Sequence, residues 1–299
     1  MKHVIMVNPV SGRKNGNKHA IVVQKLLKKY NIDADIVSSS YSGQLKEIAS
    51  EISHKEQTRF YCIGGDGTLN EIVSGIIYTD SEIVVLPCGT GNDFSRYLNE
   101  YNSLRKIILT SLNTQSVKYD VMKLNSNRYC INVLNAGFDA LVAYNMNKFR
   151  WVPFVSGTAK YNLGIVYTLF FNKNYRLRIH TDNYTIKDKF TLVAIANGRY
   201  YGGGVVPCKL SEANDGKLNT CAVKSTSLLQ KLFLLPKYKK CVHQDLPQVR
   251  IDNDIEHISI VSNKKFPLSI DGEIIFTNKI KASILKSAVN MVPIKKTND

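Results

Sequence analysis

Hydrophobic positions in the first 115 residues follow two periodicities in turn. Short apolar runs of strand length are HVIMV (3–7), DADIV (33–37), FYCI (60–63) and EIVVL (82–86). Between these runs apolar residues recur at helical spacing, as at Leu69, Ile72, Val73 and Ile76. Strands that are apolar on both faces and alternate with helices predict a doubly wound parallel sheet, with helices on both sides in three layers.

From about Lys118 the pattern changes to short segments in which apolar and polar residues alternate. These segments are YDVMKL, YCINV, RLRIH, YTIKDKF, TLVAIAN, LNTCAV, HISIV and KIKASIL. Asp-Gly and Asp-Asn turns separate several of them, a pattern typical of an antiparallel β-sandwich. Helical spacing returns near 141–170 and 225–240. The sequence therefore predicts an α/β domain over 1–120, rejoined by a tail at about 286–299, and a sandwich domain over 121–285.

Three strands of the first domain end in turns that suit a phosphate group. The turns are Asn8–Gly12, followed by Arg13, Lys14 and Lys18, then Gly64–Thr68, and Gly89–Asp93. Glycine lets an anion approach backbone N–H groups, and each turn opens a predicted helix whose N-terminus is partly positive. No G-x-x-x-x-G-K-[ST] pattern is present, and no G-x-G-x-x-G follows the first strand. A phosphate-rich ligand is expected, held neither by a P-loop nor by the usual dinucleotide fingerprint.

Composition narrows the choice of partners. The 299 residues include 40 Lys and Arg against 24 Asp and Glu, a net charge of +16 that favours anionic partners. No nucleic-acid-binding motif accompanies this charge, so nucleic acid is not an expected partner. The six cysteines have no C-x-x-C or metal-ligand spacing, and the longest nearly apolar run, Leu163 to Phe171, is short of a membrane span. The expectation is a cytosolic chain that associates peripherally with a membrane.

The three turns also carry a family resemblance. In order and spacing, NPVSG, GGDGTLNEIVSGI and LPCGTGNDFSRYL resemble the bacterial diacylglycerol kinase-like lipid kinases, which share a catalytic domain with diacylglycerol, sphingosine and ceramide kinases. NAD kinases and 6-phosphofructokinases are more distant members of the superfamily. The Asn-Glu pair after GGDGT favours the lipid branch. The resemblance implies transfer of the ATP γ-phosphoryl group to a lipid hydroxyl, with diacylglycerol as first choice and phosphatidic acid as product.

Several alternatives stay open at this point. Phosphatidylglycerol, a sphingoid base or a polyprenol would be compatible with the same nucleotide motifs. A soluble acceptor such as NAD is a second alternative, and a nucleotide-binding regulatory protein without catalysis is a third. A homodimer is compatible with the resemblance.

The resemblance implies a set of nucleotide-binding residues. Carried over to this chain, they are Asn8, Gly65, Asp66, Gly67, Thr68, Leu69, Asn70, Glu71 and Thr90. The family also uses a Ser or Thr after the second strand. Ser40 is the choice here among the three serines at 38–40.

Two turns of the second domain acquire roles through the resemblance. In EANDGKL (212–218) the Asp215 carboxylate and main-chain oxygens of Glu212 and Lys217 are implied to hold Mg²⁺, and oxygen ligands suit that hard cation. Asp271-Gly272 by itself predicts a hairpin with a type I′ turn. By resemblance it lies at the catalytic end of the domain. Glu273 is the first choice for the base that takes the acceptor proton, and Asp271 either shares that role or orients the metal or the hydroxyl.

Two segments could contact lipid. Ser225–Gln244 mixes leucines and a phenylalanine with four lysines, which suits either an anionic membrane interface or a helix packed on the sandwich. Residues 149–154 combine aromatic and basic side chains, and could line a lipid entrance or belong to the core.

Overall fold

The N-terminal part of the chain alternates strands and helices, as its periodicity predicts. The computed structural model describes residues 1–11, 15–125, 127–149, 157–171 and 174–296. Its first elements are β1 (Lys2–Val7), α1 (Gly16–Lys28), β2 (Asp35–Ser38), α2 (Gln44–Lys55), β3 (Thr58–Gly64), α3 (Asp66–Gly75), β4 (Glu82–Pro87), α4 (Asp93–Leu98) and α5 (Leu104–Leu112).

The first four strands form a parallel sheet in the order β2-β1-β3-β4. Alternate residues of β1 point to opposite faces: Val4 and Met6 join α2 and α3 in one buried cluster, and Ile5 and Val7 join α1 and α5 in another. The predicted three-layer architecture is confirmed. The chain leaves β1 toward β2 on one side and returns to β3 on the other, which opens a crevice at the carboxyl ends of β1 and β3.

The second part is built around antiparallel strands. Its elements are β5 (Val117–Leu124), β6 (Arg128–Cys130), β7 (Val133–Gly137), α6 (Phe138–Met146), a 3₁₀ turn (Asn147–Phe149), α7 (Gly157–Phe171), β8 (Tyr175–Thr181), β9 (Thr185–Ala196), β10 (Leu218–Lys224), α8 (Leu228–Lys239), β11 (Val249–Ile255), β12 (His257–Ile270) and β13 (Glu273–Met291). One apolar cluster fills the space between the strands. A second lies where the three helices cover the outer surface of β7, β9 and β10. The predicted sandwich is confirmed.

Two sequence expectations for strands need correction. The run YCINV was expected to be one strand, but β6 ends at Cys130 and β7 begins at Val133. The reason is that the backbone N–H groups of Ile131, Asn132 and Val133 donate to the Asp271 carboxylate instead of to a neighbouring strand. YTIKDKF and TLVAIAN, expected as two strands, form the single strand β9.

The long strand β13 joins the two parts of the molecule. Its first half pairs with β12 in the sandwich, and Asn290 and Met291 at its end pair in parallel with β4 of the N-terminal sheet. Beyond the strand, Ile294 exchanges backbone hydrogen bonds with the Leu98–Glu100 segment. Among the described residues, no helix is long and apolar enough to span a membrane.

Candidate active site

A cleft of about 610 Å³ opens where the sheet crevice faces the sandwich. From the N-terminal side it is lined by the turn after β1, by the start of α2 and by the start of α3. From the sandwich side it is lined by the β5–β6 hairpin and by the β12–β13 hairpin. Predicted site residues that line it are Asn8, Gly65, Gly67, Thr68, Asn70, Glu71, Asp271 and Glu273. The structure thus brings together residues that lie about 200 positions apart in the chain.

Glycine is required where the turns after β3 and β4 meet. A Cβ on Gly89 would lie 2.4 Å from the Cα of Gly65, and a Cβ on Gly64 would lie 2.4 Å from the Thr68 side chain. Asn92, in the left-handed conformation, closes the second turn with bonds to Gly89 N and O of 2.8 and 2.9 Å. The first intrahelical bond of α3 runs from Leu69 N to Gly65 O. The N–H groups before it are therefore free for an anion in the cleft.

Four predicted nucleotide-binding residues are not among the described residues whose atoms line the cleft. The Asp66 carboxylate accepts the backbone N–H groups of Asp93 and Phe94 at 3.1 and 3.0 Å, so it fixes the start of α4. Leu69 is 1% exposed and packs in the core, which follows from its place in the apolar stripe. Ser40 and Thr90 are not among the described residues that line the cleft.

Ser42 lines the cleft near the start of α2 instead of Ser40, and its hydroxyl lies 3.5 Å from Glu71 Oε1. Gly12, Arg13 and Lys14, predicted to belong to the first phosphate turn, lie outside the described residues, as do residues 150–154 of the predicted lipid entrance.

Asp271 is the most heavily hydrogen-bonded carboxylate of the site. Besides the three backbone N–H groups at 131–133, it accepts Asn70 Nδ2 at 2.8 Å and the Cys130 thiol at 3.2 Å. Burial raises the pKa of Asp271, whereas these donors lower it. Asp271 and Gly272 both have positive φ, which confirms the type I′ turn. With its oxygens occupied, Asp271 is suited to positioning, and it holds Asn70 of α3 against the sandwich domain.

Glu273 has a different environment, although it is only two residues away. Its side chain is 65% exposed and lines the cleft, where it pairs with the Arg128 guanidinium of the β5–β6 hairpin. An exposed ion pair is weak and exchanges readily with solvent or with a ligand. Of the two acids, Glu273 is the one whose carboxylate is accessible to a bound molecule.

The turn at 212–217 is docked on α4 of the N-terminal domain. The Tyr97 hydroxyl donates to Glu212 Oε2 at 2.7 Å and accepts Ala213 N at 3.2 Å, and Arg199 donates to Glu212 Oε1 at 2.9 Å. Both oxygens of the Glu212 carboxylate are therefore engaged by side chains, and its main-chain oxygen stays the predicted metal ligand.

Asp120 contributes a second carboxylate beside the same turn. It is buried, and its two oxygens accept Gly216 N at 2.6 Å and Ser287 N at 2.7 Å. Burial, and after it the charge of Asp120, raises the pKa of Asp215. No group of three or more His, Cys, Asp or Glu side chains that could hold a metal occurs in the described part of the chain. Carboxylate and main-chain oxygens are the donor types that a hard cation takes together with water ligands.

Two family models together match nearly the whole chain. Residues 2–124 match the diacylglycerol kinase catalytic domain, and residues 132–293 match the YegS C-terminal NAD kinase beta sandwich-like domain. The chain belongs to the diacylglycerol kinase-like lipid kinase family. It is therefore a kinase of the lipid branch, as the GGDGTLNE turn indicated.

Curated relatives and solved structures agree with this membership. Proteins named "putative lipid kinase" from Staphylococcus aureus strains MSSA476 and JH9 are 28% identical to this chain, over 97% of it and 96% of their own length. A crystal structure titled as a putative diacylglycerol kinase from Bacillus anthracis str. Sterne superposes with a TM-score of 0.78 at 22% identity, covering 98% of this chain and 95% of that one. A second structure from the same organism has a TM-score of 0.76 at 21% identity, covering 97% and 96%. At these identities the structures show a common fold.

Sequence reasoning missed two cations of this kinase cleft. Lys46 lines it from the start of α2, and Arg128 lines it from the β5–β6 hairpin. Neither belongs to a motif or to a glycine turn. Asp120 was missed as well, although an acid within the apolar strand segment YDVMKL is a signal that could have revealed it.

Proposed function

We propose that this kinase transfers the γ-phosphoryl group of Mg-ATP to a lipid hydroxyl, with diacylglycerol as the preferred acceptor and phosphatidic acid as the product. The observation that carries the proposal is the shared cleft: the free N–H groups at the start of α3 and the accessible Glu273 carboxylate face the same 610 Å³ space from opposite domains. Phosphoryl transfer needs a donor site and an acceptor base in this relation.

The N-terminal side of the cleft suits a polyphosphate. Backbone N–H groups of Gly67 and Thr68 lie at the positive end of α3, and no side chain caps this helix. Asn8 and Lys46 face the same space. These donors and the lysine would neutralise the negative charge on the phosphates of ATP. In this way they would take the role that the lysine has in a P-loop.

The acceptor side depends on a division of labour between the two acids. Asp271, with its oxygens occupied, holds the β12–β13 hairpin against α3. Glu273 extends from the same hairpin into the cleft and accepts the proton of the lipid hydroxyl as the new bond to phosphorus forms. Arg128 pairs with the Glu273 side chain until the substrate displaces the arginine.

Asp215 would hold Mg²⁺, together with main-chain oxygens of Glu212 and Lys217, and the Asp120 carboxylate of β5 lies beside this turn. When bound, the ion supplies the positive charge that balances the two neighbouring carboxylates.

Contact with the membrane is assigned to α8. Leu234 and Tyr238 are buried against the sandwich, whereas Leu229 and Phe233 are 69% and 76% exposed. Lysines in the last turn and just beyond the helix accompany these apolar side chains. A helix that is packed on one face and presents apolar and basic residues on the other suits the surface of an anionic bilayer.

The deciding experiment phosphorylates a lipid extract with labelled ATP and identifies the product by mass. Diacylglycerol, phosphatidylglycerol, a sphingoid base and NAD are then compared as single acceptors. Label in phosphatidic acid supports the proposal, and label confined to NAD contradicts it. Glu273→Gln should lower kcat about 10²- to 10⁴-fold while leaving ATP binding intact. An undiminished kcat would remove Glu273 from the role of base.

A further inference from the structure

The outer surface of the sandwich carries a row of cations that the active site does not use. On neighbouring strands β9, β8, β12, β13 and β5, the side chains that point away from the core include Arg176, Arg178, Lys187, Lys189, Lys281 and Lys123. All six are exposed. We call these six residues the basic sheet face.

Strand register places these charges directly opposite one another. Arg176 pairs with Lys189, and Arg178 pairs with Lys187, across the β8–β9 hairpin. Like charges directly opposite in a sheet are destabilising. In the described part of the chain none of the six forms an ion pair, although other lysines and arginines of the same domain do. Internal stability therefore does not account for the arrangement, which is complementary to an external anion.

A groove of about 550 Å³ continues the basic sheet face across β12, β13 and β5. Its walls include Lys281, which lies opposite Ser259 of β12, and Lys123, which lies opposite Ser283 of β13. The one carboxylate among the described lining residues is Asp182, which accepts the backbone N–H groups of Glu256 and His257 at 2.7 and 2.8 Å. Two ammonium groups, each with a hydroxyl on the facing strand, suit a phosphate-bearing headgroup.

The ends of two helices lie beside the same hairpin and expose apolar side chains. Phe170 and Phe171, at the end of α7, are 64% and 70% exposed. Asn174, which precedes β8, donates to Ser225 Oγ at 2.6 Å, and this bond holds the chain before α8 against the start of the hairpin. Apolar tips next to a basic surface match the two layers of an anionic bilayer, which are headgroup phosphates and hydrocarbon.

We propose that the basic sheet face, together with its groove, is a second docking surface, which binds the phosphate headgroups of an anionic bilayer while the helix ends insert. The choice of a bilayer rests on the proposed lipid-kinase function. A second copy of the chain is not the expected occupant, because an isologous contact would set these cations against each other. Duplex DNA shares the phosphate chemistry, but its phosphate backbone offers no apolar layer into which the exposed phenylalanines could insert.

The test compares Arg178→Gln/Lys187→Gln with wild type for binding to phosphatidylcholine vesicles, with and without a minority of phosphatidylglycerol. Each cation near an anionic surface contributes about fivefold to binding, so about 25-fold weaker binding to the anionic vesicles is expected. The matched control is Lys25→Gln/Lys28→Gln, which removes two exposed lysines from α1 of the other domain. The sheet-face variant should also melt no lower than wild type, because it relieves a like-charge pair.

Equal vesicle binding by wild type and the sheet-face variant would overturn the proposal, as would an equal loss in the control variant. The proposal would also be overturned if the sheet-face variant bound duplex DNA more weakly than wild type but bound vesicles equally well, which would identify nucleic acid as the partner. Kinase activity measured in neutral detergent micelles keeps the two proposals apart. The sheet-face variant should retain that activity. If wild type phosphorylates no lipid there, the proposed function fails while the vesicle comparison still decides the docking surface.

Discussion

The bond between Asn70 and Asp271 connects the nucleotide side of the cleft to the acceptor side, and Asn70→Asp tests its importance. Asn70 Nδ2 donates to Asp271 Oδ2 at 2.8 Å and to the backbone carbonyl of Tyr129 at 3.0 Å. The substitution keeps the size of the side chain but replaces this donor with a carboxylate oxygen. Both bonds are lost, and two carboxylates then face each other across the domain boundary.

The magnitude follows from the two lost bonds. A hydrogen bond to a charged acceptor contributes about 1.5–3 kcal/mol and a neutral one about 1 kcal/mol. Because the carboxylates can share a proton, their repulsion adds little at low pH and most at high pH. We expect the free energy of unfolding to fall by about 3 kcal/mol or more at pH 8, which corresponds to a decrease in Tm of about 6–12 °C.

The pH dependence gives this prediction its specific signature. In the variant, the folded-state pKa of the pair lies above the value for an unfolded Asp, so the folded state binds more protons. Stability is then retained at low pH and lost as pH rises through the folded-state pKa. Urea unfolding of wild type, Asn70→Asp and the exposed control Asn278→Asp at pH 5 and pH 8 measures this difference. The reasoning is refuted if Asn70→Asp matches the control at pH 8, or if its deficit is the same at both pH values.

Three further predictions follow from other parts of the structure. Gly89→Ala should lower the free energy of unfolding by about 1–3 kcal/mol, because its Cβ would clash with the facing glycine turn. Gly67→Ala, with open space around its Cβ, should keep its stability and raise the KM for ATP. Equal melting temperatures of the two variants would contradict this. Burial raises the pKa of Asp139 to about 6, so wild type should lose stability as pH rises through 6. Asp139→Asn should be more stable by about 1–3 kcal/mol at pH 8 and equal near pH 4, and a pH-independent difference would count against it. Glu82→Gln would remove the carboxylate that neutralises the largely buried Arg59 guanidinium at the far end of the sheet and leave it the neutral Ser111 carbonyl as partner. The urea midpoint should fall by the equivalent of about 3 kcal/mol with KM unchanged, and a changed KM in a stable protein would refute this.

Periodicity identified most of the secondary structure because each element buries one regular face. The stripe from Leu69 to Ile76 predicted α3, and the same stripe explains why Leu69 is in the core and not at the ligand. A sequence motif indicates that a segment lies near a nucleotide. The hydrophobic periodicity of the segment indicates which of its side chains face the core and which can contact the nucleotide.

The features that escaped prediction depend on contacts between distant segments. Arg128 faces Glu273 across 145 positions, and Asp271 interrupts the YCINV strand from 138 to 140 positions away. Neither contact leaves a local pattern, because register and domain docking create both. The roles of Asp271 and Glu273 likewise could be distinguished only from their hydrogen-bond partners in the structure.

The return of β13 to the N-terminal sheet has a consequence for synthesis on the ribosome. The side-chain amide of Asn290 bonds to the carbonyl of Ser81, 209 positions earlier. At about 5–20 residues per second, the nascent nucleotide domain waits about 10 to 40 s for the strand that closes its sheet. During that interval the edge of β4 is unpaired and open to pairing with other chains. A ribosome that stalls within the sandwich would leave a first domain that has all its phosphate turns but lacks its last strand.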